Sequence, residues 1–89
     1  MLESAVEKYL CDRVREAGGF TRKVVYQGRK GAPDRHCYLP GGKLIIAECK
    51  RPEGGKLHPL QEAEINKLKA VGFDVRVIST KEQVDGLFR

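Results

Sequence analysis

The sequence has no tryptophan, three cysteines and no long apolar run among its 89 residues. Its longest uninterrupted apolar stretch is Leu44-Ile45-Ile46-Ala47, whereas a membrane-spanning helix needs about 20 apolar residues. The first residues, Met1-Leu2-Glu3-Ser4, lack the basic and apolar regions of a secretory signal peptide. These absences predict an intracellular protein without a membrane partner.

The cysteines Cys11, Cys37 and Cys49 are odd in number and far apart, and no two of them form a CxxC pair. This spacing argues against a zinc site and a disulfide framework, so we expect reduced thiols in the core or at the surface. The glycines form neither a GxxxxGK[ST] loop nor a GxGxxG turn. The sequence therefore predicts no nucleotide cofactor.

Hydrophobic residues make up 40% and charged residues 33% of the chain, a balance typical of globular rather than disordered proteins. At this length we expect one domain, residues 1–89, with a small core. The formal net charge is +5 and the sequence pI about 9.3. A polyanion is therefore an expected partner, with nucleic acid as the leading candidate.

Apolar spacing and turn residues divide the chain into seven elements. We predict helices where apolar residues recur every three or four positions, and strands where β-branched and aromatic residues cluster. The elements are helix Leu2–Ala17, strands Phe20–Tyr26, Asp34–Leu39 and Lys43–Lys50, helix Pro59–Val71, strand Phe73–Ile78, and a short helix reaching Leu87-Phe88 after a capping box at Ser79-Thr80-Lys81-Glu82. This order predicts a mixed β-sheet flanked by helices, with the second helix crossing over to a parallel strand.

The strand Lys43–Lys50 contains the most informative residues of the chain. Side chains alternate between the two faces of a strand, so Glu48 and Lys50 project together while Cys49 projects the other way. A carboxylate and an ammonium group at the end of an apolar strand are costly unless they are paired or bind a metal. We therefore expect a functional site at this end of the strand.

A hairpin would bring a second carboxylate to the same place. Asp34 opens its strand, and antiparallel pairing about the turn Pro40-Gly41-Gly42 places it beside Glu48. Two close carboxylates repel each other unless a cation lies between them. Mg²⁺ or Mn²⁺ suits carboxylate oxygens and a backbone carbonyl, for which Cys49 is the candidate. Lys50 could orient a water molecule or neutralise charge on a phosphate.

Two helices offer further polar residues to this site. Glu3 and Glu7 lie one helical turn apart at the border between core and solvent, where they could instead be solvated acids that favour the positive end of the helix dipole. Gln61 shares the apolar face of the second long helix with Ile65 and Leu68. A polar side chain on a buried face needs a partner, which the acidic cluster would provide.

The pattern of Pro-Asp, a turn and Glu-x-Lys resembles the PD-(D/E)xK nuclease superfamily. Within it, the chain is similar to the virus-type replication-repair nuclease (VRR-NUC) family. The likeness runs in order along nearly the whole chain, through Glu3 or Glu7, Gly31-Ala32-Pro33-Asp34, Leu39-Pro40-Gly41-Gly42, Glu48-Cys49-Lys50, Leu57-His58-Pro59-Leu60-Gln61 and Gly72-Phe73-Asp74-Val75. It implies an α/β fold with a restriction-endonuclease-like core and the element order αβββαβα.

The resemblance also assigns roles to a small set of residues, around Mg²⁺ or Mn²⁺ as the cofactor. They are the metal ligands Asp34, Glu48 and the carbonyl of Cys49, the catalytic lysine Lys50 and a helper, Gln61. A catalytic glutamate in the first helix completes the set. It could be either Glu3 or Glu7, because the two share one face of the helix.

The implied activity is that of a metal-dependent DNA endonuclease. Small members of the family resemble Holliday-junction resolvases and act as homodimers, which implies a stand-alone, phage-type enzyme for branched DNA. Relatives that act on flapped DNA leave a flap nuclease as an alternative. The candidates for phosphate contacts are Arg29, Lys30, Arg51 and Lys56 in loops flanking the site. Such contacts follow DNA shape and weaken with salt.

Two other interpretations of the same residues stay open. The chain could be a nucleic-acid-binding module that keeps the fold without cutting, or a structural protein in which Glu48 and Lys50 form a salt bridge. The two histidines, His36 and His58, are expected to be packed or surface residues rather than proton carriers. Metal-dependent cleavage of DNA separates the nuclease from both alternatives.

Overall fold

The fold is known from a computed structural model, which describes residues 2–89. These residues form three α-helices and four strands in the predicted order αβββαβα. The elements are α1 (Glu3–Glu16), β1 (Phe20–Lys23), β2 (Arg35–Leu39), β3 (Lys43–Cys49), α2 (Pro59–Ala70), β4 (Asp74–Ile78) and α3 (Lys81–Gly86), with one turn of 3₁₀ helix at Pro40–Gly42. The α/β class and the element order predicted from the sequence are confirmed.

The four strands form one mixed sheet in the order β1-β2-β3-β4. The pairs β1 with β2 and β2 with β3 are antiparallel, whereas β3 and β4 are parallel. The chain reverses between β2 and β3 through the predicted turn Pro40–Gly42. Arg35 pairs with Ala47 across this hairpin. Asp34 therefore lies beside Glu48, as the sequence predicts.

Each face of the sheet packs against its own helices. On one face, Ala47 and Cys49 of β3 join a core cluster with α1 and α3. On the other face, Ile46 joins a cluster with Ile65 of α2. The alternation predicted for β3 is confirmed. It directs Glu48 toward α2, where the residue is 1% exposed.

The first strand is shorter than predicted, because β1 ends at Lys23 rather than at Tyr26. Lys23 pairs with Arg35, the first residue of β2. The Val24 amide still donates to the Asp34 carbonyl at 2.9 Å, but the Asp34 amide donates to Glu48 Oε1 rather than back to β1. The chain therefore leaves the sheet, and Val25 is 82% exposed. The β-branched residues after Lys23 belong to a loop rather than a strand.

The capping box of α3 lies one residue later than the sequence indicated. Thr80, rather than Ser79, is the N-cap, and its hydroxyl accepts a hydrogen bond from the Gln83 amide at 3.1 Å. In return, the Gln83 side chain accepts one from the Thr80 amide at 3.2 Å. A glutamine thus takes the role that the pattern had assigned to Glu82.

Two further properties follow from the described residues. Among them, no helix has the length and apolar character needed to cross a bilayer. Cys11, Cys37 and Cys49 are free. Burial raises the pKa of Cys37 to about 12, so its thiol is protonated and a poor nucleophile at neutral pH.

Gly31 lets the loop that carries Asp34 approach the first turn of α2. Its φ is +100°, and a Cβ atom there would lie 2.8 Å from the carbonyl oxygen of Leu60. We expect Gly31→Ala to lower the free energy of unfolding by about 2 kcal/mol or more, because backbone strain and a clash with helix backbone add. Urea denaturation followed by circular dichroism measures this loss.

Gly28→Ala is the matched control for this substitution. Gly28 also has a positive φ, +75°, but nothing lies within 4 Å of a Cβ placed there. We expect this change to cost about 1 kcal/mol from backbone strain alone. Equal losses of unfolding free energy in the two variants would show that close packing of the loop on α2 does not contribute to stability.

Candidate active site

Three carboxylates meet near the end of β3. Glu3 begins α1, Asp34 precedes β2 and Glu48 is the penultimate residue of β3. Each offers a carboxylate oxygen within 4.8 Å of the other two. Glu3 is exposed, Asp34 is half-buried and Glu48 is buried, so the group reaches solvent through Glu3.

Backbone hydrogen bonds hold Asp34 and Glu48 together. The Asp34 amide donates to Glu48 Oε1 at 3.0 Å, and the Cys49 amide donates to Asp34 Oδ2 at 3.0 Å. The Asp34 amide thus fixes the Glu48 carboxylate, and the amide that follows Glu48 fixes the Asp34 carboxylate. We call this pair of hydrogen bonds the β2–β3 clasp. Hydrogen bonds to ionised acceptors are stronger than those between neutral groups. The clasp therefore offsets part of the repulsion between the two acids.

Two side chains contact the other carboxylate oxygen of Glu48. Lys50 Nζ lies 3.1 Å from Oε2, and Gln61 Nε2 donates to the same atom at 2.8 Å. Burial raises the pKa of Glu48 and the charge of Asp34 raises it further, whereas Lys50 opposes both effects. Glu48 is therefore held firmly in position but is disfavoured as an anion.

Gln61 also belongs to the N-terminal cap of α2. Its Oε1 accepts a hydrogen bond from the His58 amide at 3.1 Å, while His58 Nδ1 accepts one from the Leu60 amide at 3.1 Å. The two bonds form a capping box with histidine at the N-cap, where Ser, Thr, Asp or Asn is usual. This capping role of His58 was not predicted from the sequence. The available signal was a polar residue three positions before Gln61, followed by proline.

The structure separates the two glutamates of α1. Glu3 belongs to the three-carboxylate group, whereas Glu7 Oε1 lies 3.3 Å from Nη2 of Arg35. The Arg35 side chain is largely buried, and its Nε has no hydrogen-bond partner among the described residues. Glu7 therefore neutralises a guanidinium group that packs beneath α1. One helical turn divides the acidic site from this ion pair.

A surface cleft of about 650 Å³ lies beside Glu3, the exposed member of the three-carboxylate group. Glu3 and Lys50 line it, and the loop after β3 contributes the basic residues Arg51 and Lys56. Two of the predicted phosphate-contact residues therefore line the same cleft as Glu3 and Lys50.

The other two predicted contacts lie in the loop between β1 and β2. Lys30 is exposed. Arg29 Nη2 lies 3.7 Å from Glu64 of α2, a carboxylate that also accepts a hydrogen bond from the Tyr26 hydroxyl at 2.8 Å. Tyr26 and Glu64 thus anchor the loop on α2. Arg29 is partly engaged there, with 61% of its side chain exposed.

The donor set of the site suits a divalent cation. The three carboxylates lie close together, and Lys50 contacts one of them, Glu48, so the described residues of the site carry an excess of negative charge. Clustered oxygen donors are the ligands that Mg²⁺ and Mn²⁺ prefer. A doubly charged ion would therefore neutralise the cluster and satisfy its free oxygens.

Backbone directions place the Cys49 carbonyl on the side of the acids. The Lys50 amide donates to the Ile78 carbonyl on β4 at 2.8 Å, whereas the Cys49 amide points the opposite way, to Asp34. The N–H and C=O groups of one strand residue point to the same edge of the strand. The Cys49 carbonyl therefore faces Asp34 rather than β4.

Known proteins resemble this chain in structure and in sequence. A solved structure described as a VRR_NUC domain matches with a TM-score of 0.91 and 38% sequence identity, over 97% of this chain and 92% of its own. A phage protein, Putative nuclease p44 of Acyrthosiphon pisum secondary endosymbiont phage 1, is 44% identical over 80 residues, which cover 90% of this chain and 85% of that protein. A scan against models of protein families finds no match.

The geometry predicts that Glu3, rather than Glu7, contributes to cation binding. We expect Glu3→Gln to weaken Mn²⁺ binding by at least about tenfold, as loss of a group that supports a metal commonly does. Glu7→Gln is the matched control, because it leaves a hydrogen-bonding side chain beside Arg35, and it should bind Mn²⁺ normally. Isothermal titration calorimetry decides between them. A loss confined to Glu7→Gln would contradict the assignment.

Burial of Glu48 beside Asp34 predicts pH-dependent stability in the absence of metal. The pKa of Glu48 is raised in the folded protein, so the folded state binds this proton more tightly and stability falls as pH rises above about 4. In EDTA at neutral pH, we expect Glu48→Gln to unfold a few degrees above the unaltered protein. The difference should shrink toward pH 4. Calorimetric melting temperatures that differ equally at both pH values would count against this cause.

Proposed function

Because the chain belongs to the VRR-NUC family, we propose that it is a divalent-metal-dependent endonuclease that hydrolyses phosphodiester bonds in branched DNA. The observation that carries this proposal is the convergence of Glu3, Asp34 and Glu48 within 4.8 Å, beside Lys50. The 44% identity to a phage protein named as a nuclease supports the same activity.

In this proposal, a Mg²⁺ or Mn²⁺ ion would be held by Glu3, Asp34, Glu48 and the Cys49 carbonyl. When bound, such an ion polarises a phosphoryl oxygen and lowers the pKa of a coordinated water. The β2–β3 clasp fixes two of the carboxylates before DNA arrives. Little further ordering of the site is then needed when substrate binds.

Lys50 and Gln61 have different roles. The ammonium group of Lys50 lies 3.1 Å from Glu48 Oε2 and borders the cleft, where it orients the attacking water or neutralises charge on the phosphate. Gln61 instead links Glu48 to the backbone at the start of α2. Lys50 is therefore assigned as a catalytic residue, and Gln61 as a residue that positions Glu48.

DNA binding in this proposal depends on the basic residues around the cleft. Arg51 and Lys56 line it, and Arg29 and Lys30 extend the positive charge along the loop before β2. Each phosphate that they neutralise releases counterions, so affinity falls with salt at a logarithmic slope of about 0.9 per contact. Contacts of this kind select DNA by shape and backbone rather than by base sequence.

A homodimer would suit a four-way junction. Two copies related by a twofold axis place two equivalent sites in symmetric positions, which matches the symmetry of two opposed strands at a junction. We therefore propose Holliday-junction resolution by a homodimer, in line with the resemblance to small members of the family. Flapped or other branched DNA is the alternative substrate.

The proposal predicts metal-dependent cleavage that requires Lys50. We expect the protein to cut a labelled four-way junction in Mg²⁺ or Mn²⁺ but not in EDTA, and to prefer it to flap and linear duplex DNA of related sequence. Lys50→Ala and Asp34→Asn should cut at least about 100-fold more slowly, because each removes charge stabilisation from the reaction. Lys69→Ala, at the exposed end of α2, is the matched control and should cut at the unaltered rate.

Three results would change the proposal. Binding without cutting in every metal would make the chain a non-catalytic nucleic-acid-binding module. Linear duplex cut as fast as the junction would remove the preference for branched DNA. Light scattering that shows a monomer at micromolar concentration, with junction cleavage intact, would remove the homodimer.

A further inference from the structure

The sheet face that carries α2 is covered unevenly. The helix packs on β4 and on Ile46 of β3, whereas Phe20 of β1 and Tyr38 of β2 are 51% and 36% exposed. Phe20 pairs with Tyr38 and Arg22 with His36, which in turn pairs with Ile46. Residues directly opposite on neighbouring strands share a face. Phe20, Arg22, His36 and Tyr38 therefore lie together beyond the edge of α2, and we call them the aromatic patch.

The aromatic patch is held in place by contacts among its own members. The ring centroids of Phe20 and Tyr38 are 5.1 Å apart, with 33° between the ring planes. The Arg22 guanidinium carbon lies 4.6 Å from the Phe20 centroid, and His36 Nδ1 lies 3.3 Å from the Tyr38 hydroxyl. Because these side chains lie on paired strands and contact one another, they would lose little conformational entropy when a flat ligand binds.

The charge of this part of the chain favours a polyanionic ligand. Residues 17–47 run from the end of α1 through β1 and β2 into β3, and they contain six Lys or Arg residues and a single acid, Asp34. They therefore carry a net charge of +5, which is the whole net charge of the protein, since the remaining residues include eleven basic and eleven acidic ones. The aromatic patch lies within this basic segment.

The same charge argues against a second copy of the chain as the occupant. A twofold interface brings the same surface of each copy together. With the aromatic patch at the twofold axis, Arg22 would lie near its own symmetry mate, in a segment that has no acid apart from Asp34. Like charges placed opposite each other are unfavourable. A nucleic acid, by contrast, supplies both negative charge and flat bases.

Exposed rings beside cations on a strand surface have a known physical use. Unpaired bases stack on aromatic side chains while neighbouring basic residues contact the phosphates. We propose that the aromatic patch binds unpaired bases of DNA, either in a single-stranded flap or where bases separate at the centre of a junction. This inference rests on the proposed function, because it takes DNA as the ligand of the neighbouring site.

The position of the patch relates it to the acidic site. Asp34 directly precedes β2, and Tyr38 lies four residues further along the chain, which is about 13 Å at about 3.3 Å per strand residue. Stacked nucleotides rise about 3.4 Å along one strand. Bases on the patch would therefore be about four nucleotides from the bond to be cut. A duplex without unpaired bases in this range would lose the contact.

Binding measured without cleavage tests the inference. In EDTA, we expect Phe20→Thr/Tyr38→Thr to bind a short labelled oligo(dT) strand about tenfold more weakly or worse, by fluorescence anisotropy. Threonine is chosen because it retains strand propensity. Phe73→Thr removes a ring of similar exposure, 48%, next to β4 at the other edge of the sheet, and should bind as the unaltered protein does. Phe20→Tyr/Tyr38→Phe keeps both rings and should also bind normally.

A second measurement uses the unaltered protein and does not depend on a variant folding. Oligo(dT) containing 5-iododeoxyuridine should cross-link to Phe20 or Tyr38 on irradiation, as mapped by mass spectrometry. Cross-links confined to other peptides would overturn the inference, as would equal oligo(dT) binding by Phe20→Thr/Tyr38→Thr and the unaltered protein. Weaker self-association of that variant with unchanged DNA binding would also overturn it, because the patch would then join two copies.

The inference and the proposed function fail in distinguishable ways. Metal-dependent cutting combined with oligo(dT) binding that is indifferent to Phe20 and Tyr38 overturns the inference and leaves the nuclease in place. Patch-dependent oligo(dT) binding with no cutting in any metal supports the inference and refutes the nuclease.

Discussion

The antiparallel pairing of β2 with β3 is the constraint on which the candidate site depends. This pairing sets Asp34 beside Glu48. The Asp34 amide donates a hydrogen bond to the Glu48 carboxylate, and the Cys49 amide donates one to the Asp34 carboxylate. Without other contacts, this pairing would bring two negative charges together in a partly buried environment, which is unfavourable. Lys50 and Gln61 both contact Glu48 and reduce that cost. The start of α1 then adds Glu3 to the site. The start of α2 adds the capped turn that carries Gln61.

The charges of the protein are separated along the chain. Basic residues predominate from the end of α1 into β3, whereas the remainder holds equal numbers of acids and bases. The acidic site combines residues of both parts, because Asp34 lies within the basic segment while Glu3 and Glu48 lie outside it. Such an arrangement attracts a polyanion toward the strands and presents the carboxylates beside it. The excess negative charge of the site is local and leaves this wider attraction in place.

Much of the fold follows from local patterns in the sequence. The alternation in β3 separates Glu48 from Cys49, and the Pro40–Gly42 turn sets the hairpin, so their placement needs little more than strand geometry. The end of β1 was predicted wrongly, because it depends on where the partner strand begins and not on the β-branched residues near Val25. The histidine cap of α2 was also missed, since His58 is an uncommon residue at that position.

Local sequence patterns were enough to predict the set of elements, the pairing of Asp34 with Glu48 and the shared face of Glu48 and Lys50. These depend on residues close in the chain or joined by one short turn. Periodicity cannot separate Glu3 from Glu7, because they lie on one face of α1, and only tertiary packing shows which of them lies near Asp34 and Glu48. The packing of α1 across the sheet sets which turn of the helix meets the end of β3. It brings Glu3 to the carboxylates and leaves Glu7 beside Arg35.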